Sequence, residues 1–73
     1  LATKKQKYLK RLGTHIKEIR EKKKLTQLDV SSAISKDRQS IQRLESGNVN
    51  PTIYYLTELA EGLDIPLKKL VDF

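Results

Sequence analysis

Leu9, Leu12, Ile16 and Ile19 recur at intervals of three and four, the spacing of one helical face, and predict a first helix over about residues 5–23. Leu25 and Val30 stand on either side of Thr26. In that arrangement Thr26 caps a second helix, over about residues 27–34, while the two apolar side chains clasp its first turn. This helix turns Val30, Ala33 and Ile34 inward. Ser35 and Lys36 then break the apolar period, and Asp37 offers the cap for a third helix over about residues 38–45, with Ile41 and Leu44 inward. Gly47 supplies a left-handed stop, and the stretch SGNVNP from Ser46 to Pro51 is loop by composition. Thr52 caps a fourth helix that buries Ile53, Leu56, Leu59, Ala60 and Leu63, with Tyr54 and Tyr55 read as part of its packing. Asp64, Ile65 and Pro66 turn the chain. Pro66 suits the first turn of a helix, and Leu67, Leu70 and Val71 complete a fifth.

Gly13 lies inside the first helix, where it costs about 1 kcal/mol relative to alanine and allows another helix to approach closely. Glu18 and Lys22 form a favourable i,i+4 pair on its surface, and the run Lys22-Lys23-Lys24 closes it where the helix dipole favours cations. Residues 1–10 are lysine-rich and read as a basic N-terminal extension of this helix.

The third helix carries the chemistry. With Ile41 and Leu44 facing inward, Arg38, Gln39, Gln42 and Arg43 face out. Arginine pairs two-pronged with guanine O6 and N7, and glutamine does the same with adenine N6 and N7. A merely solvated face would carry glutamate and lysine as often as glutamine and arginine, and none stands between Arg38 and Leu44. Arg38 and Gln39, at the helix start, are expected to reach deepest into a groove, with Arg43 one turn later and Gln42 between them in angle.

Charge supports a polyanionic partner. The 73 residues carry a net charge of +6, and it is unevenly placed. Through Arg43 there are 13 basic and 4 acidic residues, and from Leu44 onward 2 basic and 5 acidic. At this length one small domain is expected, near the size at which a core barely suffices. The absence of cysteine excludes disulfides and thiolate metal sites and allows a reducing compartment. There is no apolar run long enough to span a membrane and no signal-peptide pattern. The chain opens on Leu rather than Met, so residues beyond either end are allowed.

The pattern LTQxxVSxAIxxxxxxIQRLExG from Leu25 to Gly47, continued by NPT and LAEGLDIPLKKL, resembles the helix-turn-helix of the phage-repressor and Cro superfamily. The likeness covers residues 12–70 and needs no insertion or deletion between Leu25 and Gly47. It implies an all-α, five-helix, lambda-repressor-like fold and a sequence-specific regulator of transcription that reads double-stranded DNA. It also implies a two-fold dimer on a palindromic operator. In such a protein Gln27 donates to a DNA phosphate beside Thr26. Ser46, Asn48 and Asn50 meet the opposite backbone, and Lys23, Lys36 and Ser40 add phosphate contacts. Arg20 and Glu45 match the family's partly buried ion pair. The expected dimer surface is the fifth helix with the turn before it, around Leu67, Leu70, Val71 and Phe73, since a C-terminal aromatic has little core left to join.

Five positions depart from the family pattern. Ser31 stands where alanine is usual, and is small enough to preserve the helix crossing. Ser35 and Lys36 replace a glycine and an aliphatic residue in the turn, so Ser35 must take a strained conformation or the turn is reshaped. Lys36 leaves a core slot, sending its ammonium to solvent or to a phosphate. Leu28 occupies a normally polar site, and Asp64 replaces the glycine before the fifth helix, with Gly62 two residues earlier.

Catalysis is disfavoured. His15, the only histidine, sits on a helix away from any strained serine turn and cannot alone hold zinc. There are no paired carboxylates in a cleft and no glycine-rich phosphate loop. No metal, cofactor or small-molecule effector is indicated, and a prokaryotic cytoplasmic location is expected. The alternative reading is a protein-interaction module of the same fold, antitoxin-like or an adaptor, using Leu28, Phe73 and the acidic half of the chain.

Overall fold

The computed structural model describes residues 2–73, and among them every regular element is a helix. α1 runs Lys4–Lys22, α2 Gln27–Ala33, α3 Arg38–Glu45, α4 Ile53–Gly62 and α5 Leu67–Leu70. α1 starts one residue earlier than its apolar period predicts, because Thr3 closes a capping box. The Gln6 amide donates to Thr3 Oγ1 over 3.1 Å and the Thr3 amide to Gln6 Oε1 over 2.8 Å. Thr26, Asp37 and Thr52 cap α2, α3 and α4 as expected, each accepting from the amide three residues on.

The first four helices all end in the same way. The residue after the cap takes a left-handed conformation, its amide bonds back three residues, and the next amide bonds back five. After α3 the left-handed residue is Gly47, at φ 78. After α1, α2 and α4 it is Lys24, Ser35 and Asp64, at φ 58, 56 and 56. Ser35 therefore accepts the strained conformation, and the turn keeps its shape. Asp64 does the same after α4.

The core is formed by Leu12, Ile16, Val30, Ile41, Leu44, Leu56, Leu59, Ala60, Leu63 and Leu70. α3 is wedged between α1 and α2, and α4 and α5 close the other side. Gly13 marks the tightest crossing: a Cβ there would lie 2.5 Å from the carbonyl oxygens of both Leu44 and Glu45. Ser31 is buried at the α2 crossing and gives its hydroxyl hydrogen to the Leu28 carbonyl over 3.1 Å, so serine does the work of alanine there.

Several inward assignments are corrected. Ile53 is 66% and Tyr54 70% exposed. Ile53 sits at the rim of the apolar arc in the first turn of α4, beyond the end of the core, and Tyr54 lies off that arc. Ala33, the last residue of α2, is exposed, whereas Ile34 is half-buried and packs on the core as expected. Val71, which the sequence reading set on a surface rather than in the core, is exposed just beyond the end of α5.

Candidate nucleic-acid interface

α3 is amphipathic in the strict sense: Ile41 and Leu44 have no exposed surface, whereas Arg38, Gln39, Gln42 and Arg43 are all exposed. Its first turn is fixed by Asp37, whose Oδ1 accepts from both the amide and the hydroxyl of Ser40, each over 2.8 Å. These bonds, the side-chain one foremost, draw the Asp37 carboxyl below its ordinary range. Ser40 spends its one hydroxyl hydrogen on this cap, so it has no side-chain donor left for a phosphate. Ser46 is in the same position, donating to the Gln42 carbonyl over 2.8 Å. Both hydroxyls serve α3 itself, and the sequence assigned them outward roles.

The far end of α3 is held by a buried network. Arg20 donates Nε to Glu45 Oε2 over 2.7 Å and Nη2 to Oε1 over 3.0 Å, and its Nη1 reaches the Leu25 carbonyl over 2.7 Å. The bond to Glu45 is the chief cause of a raised Arg20 pKa, against the opposing effect of burial. Gln27 Nε2 also donates to Glu45 Oε1, over 3.1 Å. The side chain expected on a phosphate is thus half-buried and tied to α3. One amide hydrogen is engaged and the second remains for an outside acceptor. Nothing in the spacing of Gln27 and Glu45 signals this link, because it exists only where α2 crosses the end of α3.

At the start of α2 the Thr26 hydroxyl accepts from the Asp29 amide over 3.0 Å, and Asp29 Oδ2 accepts from the Thr26 amide over 2.8 Å. The Asp29 pKa is lowered, mainly by that backbone bond. Accepting leaves the Thr26 hydroxyl hydrogen uncommitted, and the amides of Gln27 and Leu28 lie beyond the reach of the helical ladder. Lys23, Asn48 and Asn50 are exposed, the last two on either side of half-buried Val49, which anchors their loop to the core.

Lys36 turns away from this region. Its ammonium lies 3.9 Å from Glu58 Oε1 and 5.8 Å from the centre of the Tyr55 ring, so α4 holds it. The Tyr55 hydroxyl is buried without a hydrogen-bond partner among the described residues, and burial, with the charges of Asp37 and Glu58, raises its pKa. Leu28 is 59% exposed on α2.

On the opposite side, one assignment to the dimer surface is corrected. Leu70 has no exposed surface and belongs to the core. Phe73 is half-buried: Tyr8 meets it edge-on at 5.3 Å, His15 lies 5.7 Å away, and the Arg11 guanidinium sits 5.5 Å over its ring. His15 also bonds through Nε2 to the Lys69 carbonyl over 2.9 Å, tying α1 to α5. The terminal aromatic thus finds its partners on α1.

The family model described as "Helix-turn-helix" matches residues 16–70, which span the last two turns of α1 and all of α2, α3, α4 and α5. The chain belongs to the helix-turn-helix family. It is 36% identical over 62 residues to an uncharacterized HTH-type transcriptional regulator, y4dJ, of Sinorhizobium fredii, across 85% of this chain and 80% of that one. The restriction-modification controller protein C.AhdI from Aeromonas hydrophila has a similar structure. It superposes with a TM-score of 0.82 at 29% identity, over 85% of this chain and 94% of its own. A Vibrio cholerae HTH_3 family transcriptional regulator shares the fold, with a TM-score of 0.84 at 18% identity over 90% of this chain and 37% of that chain. Membership makes this chain a DNA-binding regulator of transcription. The two helices that name the family are α2 and α3, and the buried network described above holds them to α1.

Proposed function

We propose that the protein recognises a specific sequence of double-stranded DNA by laying α3 in the major groove. Arg38 and Gln39 meet base edges, with Arg43 and Gln42 behind them. The observation that carries this reading is the division of α3 into a fully buried Ile41–Leu44 side and an exposed side made only of arginine and glutamine. The free amides at the start of α2, the Thr26 hydroxyl, the second Gln27 amide hydrogen and Lys23 would meet one phosphate backbone. Asn48 and Asn50 would meet the other. Lys36 would join them only by leaving Glu58.

A single copy covers one half-site, so the protein acts as a two-fold dimer on a palindromic operator, its recognition helices about 34 Å apart. The surface left for a second copy is exposed Val71 with Leu67 and the rim of Phe73. It continues into an apolar groove lined by Tyr8, Leu12, Pro51 and Leu56. In this reading the protein works by binding rather than catalysis, and it works in the cytoplasm, where its operator is. Among the described residues, no helix is long and apolar enough to cross a membrane.

Selection of bound duplexes from a random library tests the reading. The expected product is one short half-site repeated in inverted orientation, with centres about 10 base pairs or a multiple apart. Weak, uniform retention of all sequences would reject base reading and favour an adaptor role.

A further inference from the structure

The family match begins at Ile16, so nothing in it assigns a role to the first three turns of α1. Those turns are nevertheless built against the recognition helix. Gly47, the left-handed stop of α3, packs so closely on α1 that a Cβ there would lie 2.8 Å from Lys10 Cα and 2.9 Å from Lys10 N. The loop that leaves α3 therefore rests directly on the α1 backbone. Between the two runs a cleft lined by Gln6, Lys7, Lys10, Ser46 and Asn48, with no carboxylate in its walls. Lys7 and Lys10 stand one helical turn apart, both exposed, and neither is in an ion pair among the described residues. The capping box of Thr3 and Gln6 holds this turn helical, so the two ammonium groups are presented by a rigid element.

We propose that Lys7 and Lys10 form a phosphate rail that lengthens the DNA interface beyond the half-site, gripping the backbone of the strand met by the loop after α3. The rail rests on the groove-reading of α3 proposed above. It adds affinity and orientation but no base preference, because an ammonium on a phosphate is blind to sequence.

The test compares the wild-type protein with a Lys7→Ala/Lys10→Ala double variant on the selected operator and on a random duplex, across a salt series. A Lys68→Ala/Lys69→Ala variant on α5 serves as a charge-matched control, and circular dichroism checks that each variant is folded. Each phosphate neutralised contributes about −0.9 to the slope of log affinity against log salt. The rail variant should therefore lose close to two units of slope per bound copy, or close to four on an operator that holds two copies. Its affinity loss between 50 and 200 mM salt should be about tenfold smaller per copy than that of the wild type. It should weaken on both duplexes alike, with base preference unchanged, and Lys7→Arg/Lys10→Arg should restore binding. A slope equal to the wild type's, or a change no larger than the α5 control's, would overturn the rail while leaving α3 reading intact. A wild-type protein that selects no operator would reject the reading and the rail together.

Discussion

The Arg20 guanidinium and the Glu45 carboxylate meet side by side, with both carboxylate oxygens engaged, and so bind the last turn of α1 to the last residue of α3. Their side chains are 9% and 3% exposed. Removing one partner from such a pair strands the other charge away from water, at a cost of about 3–5 kcal/mol. A domain of this size holds on the order of 5 kcal/mol in all. Glu45→Ala is therefore expected to keep only about 0–2 kcal/mol of stability, with a strongly lowered melting midpoint and Glu45→Gln intermediate. Thermal melts followed by circular dichroism read this directly, and an unchanged midpoint would show the pair to be ornamental.

Gly13→Ala sets two effects against each other. Alanine gains about 1 kcal/mol of helix propensity. Its Cβ, however, would lie 2.5 Å from two carbonyl oxygens of α3, which are backbone atoms and cannot rotate aside. Overpacking of this kind costs about 1–3 kcal/mol, and the shift it forces would strain the Arg20–Glu45 pair as well. The variant should be less stable in urea denaturation. A gain in midpoint would mean that α1 and α3 cross more loosely than described.

At Ser35 and Asp64 the sign is opposite. Both hold φ at 56, where a side chain's Cβ crowds the backbone. Glycine relieves that crowding, and its greater freedom in the unfolded chain offsets part of the gain. Ser35→Gly should raise stability by roughly 0.5–1 kcal/mol, whereas Ser35→Val should lower it. Equal midpoints for all three proteins would show that the turn does not hold its left-handed geometry in solution.

Acid should unfold the protein partly through its helix caps. The carboxyls of Asp37 and Asp29 both titrate below the ordinary value of 3.8 in the folded protein. Protonation therefore favours the unfolded chain. Their contribution is complete above about pH 4 and is lost as pH falls through the lower, folded values. Asp37→Asn keeps an oxygen for the Ser40 amide but does not titrate. Urea midpoints between pH 2 and 7 should show a shallower acid limb for this variant, with near wild-type stability at neutrality. An identical limb would assign acid sensitivity to other groups.

Readers and positioners should separate in binding assays. Arg38→Ala or Gln39→Ala should cost about 1–3 kcal/mol on the best operator and relax preference at one position. Lys23→Ala should weaken all duplexes equally. If the three variants scale every sequence by the same factor, the outer side of α3 positions the protein without reading bases.

The five helices were legible along the chain because each carries its own punctuation. Caps at Thr26, Asp37 and Thr52 and the stop at Gly47 are local hydrogen-bonding features that residue type alone determines. The exposed quartet of α3 was legible for the same reason, once Ile41 and Leu44 had set the inward side. The early start of α1 was also written locally, in the Thr3–Gln6 box.

Local pattern could not say which elements meet. It gave the sequence reading no means to see Gln27 bonded to Glu45, Lys36 held by Glu58 and Tyr55, or Phe73 covered by Tyr8 and Arg11, since each pair is joined only by the packing of distant helices. Periodicity likewise overcalled burial at Ile53 and Ala33, because a helical face tells where the core lies but not where it ends. The chain by itself thus determined its helices, the stop at Gly47 and the polar side of α3, all governed by interactions within a few residues. Only the tertiary structure decided which polar groups are already engaged and which remain free for DNA, because that depends on donors and acceptors brought together from opposite ends of the fold.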